Sequence, residues 1–187
     1  IRLMATGGIG GVHRNFSRTG DESTDLNVLG RVPVTVVASG AKCILDLPLT
    51  LERLETYGVA VVGYRTQEFP AFYYRNSGLK LDHWVEDPAS AARLVDSTAM
   101  LQLGGLLLAN PIPDPAALPR GNIEALVGRA ELEAASTGVD GKDLTPFLLG
   151  RLAQYTQGRS LAANRALLTA NAALAGRVAA CLSATPP

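Results

Sequence analysis

Three short stretches of the chain carry residue types that can do chemistry. The first is Thr6-Gly7-Gly8-Ile9-Gly10-Gly11-Val12-His13-Arg14, with four glycines in five positions. Backbone without Cβ lets an anion come close and aims several N–H groups at it. His13 adds a hydrogen-bond donor and Arg14 a permanent charge. The run has neither the Lys-Ser/Thr ending of a Walker loop nor the spacing of a dinucleotide fingerprint, so a tight structural turn explains it equally well. The second is Asp21-Glu22-Ser23-Thr24-Asp25, three carboxylates and two hydroxyls in a polar stretch. Oxygen ligands of this kind can hold a hard divalent cation that keeps several waters, or Ser23 or Thr24 can cap a helix.

The third is Ser39-Gly40-Ala41-Lys42-Cys43, directly after a strongly apolar run. A lysine at the carboxyl end of a buried parallel strand lies where α/β sheets place ligands, and an amine held there can attack a carbonyl or a sugar C1. The competing reading is a lysine whose stem covers apolar surface while its ammonium reaches water; the position favours the first. Nothing places His13 or His83 as a base for Cys43, which reads as a small buried thiol. Asn164 and Asn171 share one face of an apolar helix, where their amides must find partners, either a ligand or neighbouring loops. Trp84 reads as packing in an exposed connection.

The elements that must position these residues show in the apolar pattern. Val/Ile/Leu-rich runs bounded by Gly or Pro recur at Ile1–Thr6, Val32–Ser39, Val59–Tyr64 and Leu106–Asn110, as expected of parallel strands buried on both faces. Helical periods lie between them at Leu49–Tyr57 and Pro88–Leu103, the latter with Asp87 as N-cap and proline at the first helical position. Alternating strand and helix imply an α/β fold. After Asn110 only helices are expected, at Gly121–Ser136, Leu144–Thr156 and Ser160–Leu182, with a tail at Ser183–Pro187. No repeat or composition shift divides the 187 residues, so one domain is expected.

Composition excludes several classes of function. Hydrophobic residues at 47% and charged residues at 18% rule out an intrinsically disordered chain. Seventeen Lys+Arg balance seventeen Asp+Glu, leaving no global field for a nucleic-acid polymer or an anionic membrane. No apolar window is long enough to span a bilayer. The two cysteines, Cys43 and Cys181, form no disulfide framework, which points to a reducing, cytoplasmic setting. The strand-like start at Ile1, without initiator methionine or signal segment, reads as the interior of a longer chain.

Taken together, Thr6-Gly-Gly-Ile-Gly-Gly-Val-His13-Arg14, Ser23-Thr24-Asp25-Leu26, Gly40-Ala41-Lys42 with Ile44-Leu45-Asp46, Val62-Gly63-Tyr64, Glu68-Phe69-Pro70-Ala71-Phe72, Asn110-Pro111-Ile112-Pro113, Thr145-Pro146-Phe147-Leu148-Leu149 and Ser160-Leu161 with Asn164 closely resemble the pseudouridine-5'-phosphate glycosidase family, also called indigoidine synthase A, across nearly the whole chain. The resemblance implies reversible C–C cleavage of pseudouridine 5'-phosphate to uracil and ribose 5-phosphate. It implies an α/β/α sandwich around a largely parallel sheet, a homotrimer, and a divalent metal, typically manganese. It carries the nucleophilic lysine onto Lys42, the metal ligand onto Asp21, and substrate contacts onto Ser23, Thr24 and Asp25; Thr6, His13 and Asn164 match further active-site positions.

The family's general acid is a glutamate near the N-terminus, in a region that the chain as read here begins after, so C–C cleavage by residues 1–187 alone is expected to be weak. Some eukaryotic relatives, where a mitochondrial location is conceivable, carry a fused sugar-kinase domain. Arg14-Asn15-Phe16 and Cys43 depart from the commonest family wording. The alternative is an inactive scaffold or interaction module that only binds a phosphorylated sugar.

Overall fold

Strands buried on both faces organise the computed structural model, which describes residues 1–184. In chain order the elements are β1 (Leu3–Ala5), β2 (Val12–His13), α1 (Phe16–Thr19), α2 (Thr24–Arg31), β3 (Thr35–Ala38), β4 (Leu45–Asp46), α3 (Leu47–Thr56), β5 (Ala60–Tyr64), β6 (Trp84–Val85), α4 (Pro88–Met100), β7 (Leu106–Ala109), α5 (Arg120–Thr137), α6 (Leu144–Tyr155) and α7 (Arg159–Ala184). Five strands form one parallel sheet in the order β1-β3-β7-β5-β6. Every residue of the central strands β3 and β7 is buried, and β5 beside them is buried from Val62 to Tyr64, which is why β3 and β7 read as unbroken apolar runs.

Alternation along those strands divides the core in two. Val36, Ala38, Leu107 and Ala109 join one cluster with Leu26 and Leu29 of α2, Leu54 of α3, Ile123 and Val127 of α5, and Leu148 and Leu152 of α6. Val37, Leu106 and Leu108 join the other with Ala91, Ala92 and Val95 of α4 and Leu174 and Val178 of α7. The result is the expected α/β/α sandwich, with the C-terminal helices shared between both faces. α7 contributes Ala163 and Leu167 to the first cluster and Leu174 and Val178 to the second. Its 26 residues, roughly 39 Å of helix, therefore pass from one side of the sheet to the other.

Several boundaries differ from the sequence expectation for local reasons. β3 begins at Thr35 rather than Val32, because Val32 closes α2 through its N–H to Val28 and Pro33 has no N–H for a ladder. α3 begins at Leu47 rather than Leu49: Asp46 accepts from the Leu49 N–H, and Pro48 is tolerated in the first turn. Asp87 caps α4 as expected, accepting from the Ser90 N–H, but the helix stops at Met100. Trp84 lies on edge strand β6 beside Gly63, partly exposed, rather than in a loop. Ser183 and Ala184 continue α7, and residues 185–187 of the expected tail lie outside the described residues. Among the described residues no helix is long and apolar enough to cross a membrane.

Candidate active site

The carboxyl ends of β1, β3 and β7 open onto one another, and the loops leaving them build the site. After β3 the chain turns sharply at Gly40, whose φ is +65°; a Cβ there would lie 1.8 Å from the Pro70 carbonyl oxygen, so only glycine fits. The buried Phe69–Tyr74 segment braces this turn, with the Phe72 N–H donating to Ser39 O at 2.9 Å. Lys42 follows, half-buried. Its backbone is held by its N–H to Ile9 O (3.2 Å) and by the Leu45 N–H to its own carbonyl (3.1 Å).

The glycine run after β1 is a close-packed strap. The Gly10 N–H donates to Asp25 Oδ2 at 2.7 Å, the Ser23 N–H to Gly11 O at 2.9 Å, and the His13 N–H to Asp21 O at 3.0 Å. Val12–His13 also pair antiparallel with Leu45–Asp46, which ties the strap to the Lys42 turn. A Cβ on Gly10 would lie 2.2 Å from Ser23 Oγ. Gly10→Ala is therefore expected to cost about 1–3 kcal/mol through overpacking, seen as a lowered thermal midpoint; an unchanged midpoint would show that the strap relaxes freely.

Ser23 realises the capping alternative: it is the N-cap of α2, and its Oγ accepts from the Asp25 N–H at 3.2 Å. That leaves Asp21 as the carboxylate beside His13, with 3.8 Å between Asp21 Oδ2 and His13 Nε2. Among the described residues no three His, Cys, Asp or Glu side chains gather into a metal cage. A hard cation at the single part-exposed carboxylate of Asp21 would keep most of its waters.

Two cavities meet at Lys42. One, about 450 Å³, is lined by Thr6, Gly7, Gly8, Asp25, Lys42 and Asn164 against an apolar wall that includes Phe72 and Leu168. The other, about 260 Å³, is lined by Gly10, His13, Asp21, Ser23, Lys42 and Lys142. Every site residue expected from the sequence lines one of them except Thr24, which is exposed in the first turn of α2 and lines neither. Lys142, on the connection from α5 to α6, and Thr145, in the first turn of α6, reach the smaller cavity and carried no chemical signal in the sequence beyond the Thr145-Pro146 wording.

The two asparagines of α7 divide the alternatives left open for them. Asn164 lines the larger cavity. Asn171 is fully buried and joins loops: its Nδ2 donates to Thr6 O (2.8 Å), Gly7 O (3.2 Å) and Ser39 Oγ (3.2 Å), and its Oδ1 accepts from Asn110 Nδ2 (2.9 Å). One side chain thus ties together the exits of β1, β3 and β7.

Cys43 is no nucleophile. Burial pushes its thiol up to about 12, and the nearby Arg14 charge offsets only part of that. At pH 8 roughly one folded thiol in 10⁴ is ionised. Iodoacetamide at that pH is expected to spare Cys43 in the folded protein and to label it in denaturant; rapid labelling of the native state would overturn its burial. Since the unfolded thiol ionises near ~8.5, stability present below that pH is expected to fall as pH rises above it.

A parallel α/β/α sandwich with a half-buried lysine between two cavities at the carboxyl ends of its strands defines an α/β protein with a candidate ligand site and a candidate amine nucleophile. Residues 1–181 match the family described as Indigoidine synthase A like protein, and the chain belongs to that family. It is 51% identical over 98% of its length to a pseudouridine-5'-phosphate glycosidase of Sorangium cellulosum and 52% identical over 96% to one of Caldanaerobacter subterraneus. It spans 58% and 59% of those relatives' lengths. Among solved structures, the prealnumycin C-glycosynthase AlnA in complex with ribulose 5-phosphate superposes with TM-score 0.91 at 38% identity, covering 98% of this chain and 61% of that one. An indigoidine synthase A-like protein of Thermotoga maritima superposes with TM-score 0.87 at 40% identity, covering 96% and 59%.

Proposed function

We propose that this chain forms the lysine-bearing part of an enzyme that reversibly cleaves the C–C glycosidic bond of pseudouridine 5'-phosphate. The observation that supports this best is Lys42, held at the shared wall of two cavities among Thr6, His13, Asp21, Ser23, Asp25 and Asn164, in a chain about half identical to proteins named for that activity. A C–C glycosidic bond has no leaving oxygen to protonate, so the base must depart as carbon. Covalent catalysis answers this problem. The neutral Lys42 amine bonds to C1 as the C1–O bond of the sugar ring opens, and the proton that the nitrogen sheds goes to the released ring oxygen, which leaves a secondary amine with a free lone pair. The nitrogen lone pair then forms the C1=N bond, the C1–C5 pair passes to the base, and a general acid protonates C5 to give uracil. Water hydrolyses the iminium to ribose 5-phosphate and the free amine.

In this reading Thr6, His13, Ser23, Asp25 and Asn164 hold the phosphorylated sugar, and Asp21 holds a divalent cation, manganese in the first instance, which offsets negative charge on ligand oxygens. Asp21→Asn removes one charge from that ligand set, so manganese affinity, read by titration of the metal alone, is expected to fall by about tenfold or more with the fold intact. Unchanged affinity would move the ligand to another residue, Asp25 first. A homotrimer is part of the same proposal.

Borohydride reduction of the protein with ribose 5-phosphate tests the reading, because it needs the amine and the cavity but no proton transfer to a base. One reduced sugar phosphate on the peptide containing Lys42 is the expected result. No adduct, or an adduct on Lys80 or Lys142, the other lysines, overturns it. The AlnA likeness supports a second reading within the same chemistry, in which the lysine-bound pentose phosphate is joined to a carbon of a different ring; formation of a C-glycoside from an aromatic acceptor but not from uracil would favour it.

A further inference from the structure

Arg14 follows His13 on the strap, yet it lines neither of the two cavities that share Lys42, and its side chain reaches back to the Lys42 turn. Its Nη2 donates to Cys43 O at 3.0 Å, its Nε points at Leu45 O at 3.5 Å, and its Nη1 lies 3.5 Å from Glu131 Oε2 on α5. We propose that Arg14 is a positioning residue for Lys42: its planar fork fastens the Cys43 and Leu45 carbonyls, and Glu131 fixes the fork. This rests on the reading of Lys42 as the amine nucleophile and extends it to a residue outside the two cavities that share Lys42.

Three observations carry the inference. The turn at Lys42–Leu45 is held on its inner side by the hydrogen bonds of Lys42 to Ile9 and of Leu45 to Lys42, while the Cys43 and Leu45 carbonyls face Arg14. Among the described residues no other side chain donates to Cys43 O or Leu45 O. Only a planar guanidinium presents several N–H groups in a fixed fork; a lysine ammonium carries the same charge as a point without that geometry. Glu131 is half-buried, and burial raises its carboxyl above the usual range while Arg14 pulls it down. The effect on chemistry follows from reach: an amine at the end of a four-carbon stem attacks a fixed C1 only from a well-defined backbone, and an ångström of displacement can cost ~10² in rate.

The test compares Arg14→Lys, Arg14→Ala and the parent protein. With ribose 5-phosphate and borohydride, both variants are expected to form the Lys42 adduct ~10- to 100-fold more slowly. The sugar-phosphate concentration giving half-maximal rate should change less than about twofold, because Arg14 lines neither of the cavities that share Lys42. Methylguanidinium is expected to restore part of the rate to Arg14→Ala, since the side chain borders open cavities of about 790 and 520 Å³ through which it can enter. Amide hydrogen exchange across residues 42–46 should rise in both variants.

Full activity in Arg14→Lys would show that charge alone suffices and overturn the fork. A parental adduct rate, or unchanged exchange, in folded Arg14→Ala overturns the proposal. If the parent protein itself forms no adduct at Lys42, the proposed function fails on its own, and the exchange measurement still decides whether Arg14 holds the turn.

Discussion

Lys42→Ala is expected to leave a folded protein in which adduct formation with ribose 5-phosphate is abolished, and turnover of pseudouridine 5'-phosphate by the enzyme it forms part of falls by at least on the order of 10³, because removing the nucleophile removes the covalent intermediate. The fold should survive: Lys42 is only half-buried, and its hydrogen bonds to Ile9 and Leu45 come from its backbone, which alanine keeps. Lys42→Arg is the sharper variant. It retains length and positive charge, so it keeps any electrostatic attraction for a phosphorylated ligand, but a guanidinium stays protonated and cannot act as the amine. The arginine variant is expected to bind ribose 5-phosphate and form no adduct. An adduct surviving in Lys42→Ala would place the nucleophile elsewhere.

The second large effect falls on stability. Asn171→Leu would leave Ser39 Oγ, which is buried, and Thr6 O and Asn110 Nδ2, which are part-buried, short of a partner and take from Gly7 O one of its two donors, the Ser39 N–H remaining. Each buried polar group left unsatisfied costs about 1–3 kcal/mol. Relief by small shifts reduces the sum, and a net loss of about 3–5 kcal/mol is expected, large against the ~5–15 kcal/mol by which a domain of this kind is stable. A denaturant midpoint shifted down with unchanged slope would report it. The site should loosen too, because the same side chain holds Thr6 and Gly7 of the larger cavity. A loss under about 1 kcal/mol would mean that water or a loop shift replaces the amide.

The sequence by itself determined the fold class. Unbroken Val/Ile/Leu runs at the inner strands can be satisfied only by burial on both faces, so parallel strands flanked by helices followed from composition and spacing alone. Lys42 was legible for a related reason: a lysine just after such a run must stand at the carboxyl edge of the sheet, where ligand sites form. The capping role of Ser23 was legible as one of two readings, and local backbone geometry decided between them.

What only the tertiary structure decided is how separate stretches meet. The two-residue strands of Val12–His13 and Leu45–Asp46 are too short to carry a period, yet their pairing brings His13 to Lys42. Asn164 and Asn171 looked alike on one helix face, and only the passage of α7 across the strand ends gave one to a cavity and the other to three loops. Arg14 read as part of an anion loop, while in the fold it faces the carbonyls of a turn some 30 residues away in sequence. The physical reason is common to these cases: periodicity and propensity report a residue's relation to its own element, whereas partners of buried amides and guanidinium forks are set by which elements pack together, and that is a property of the whole chain.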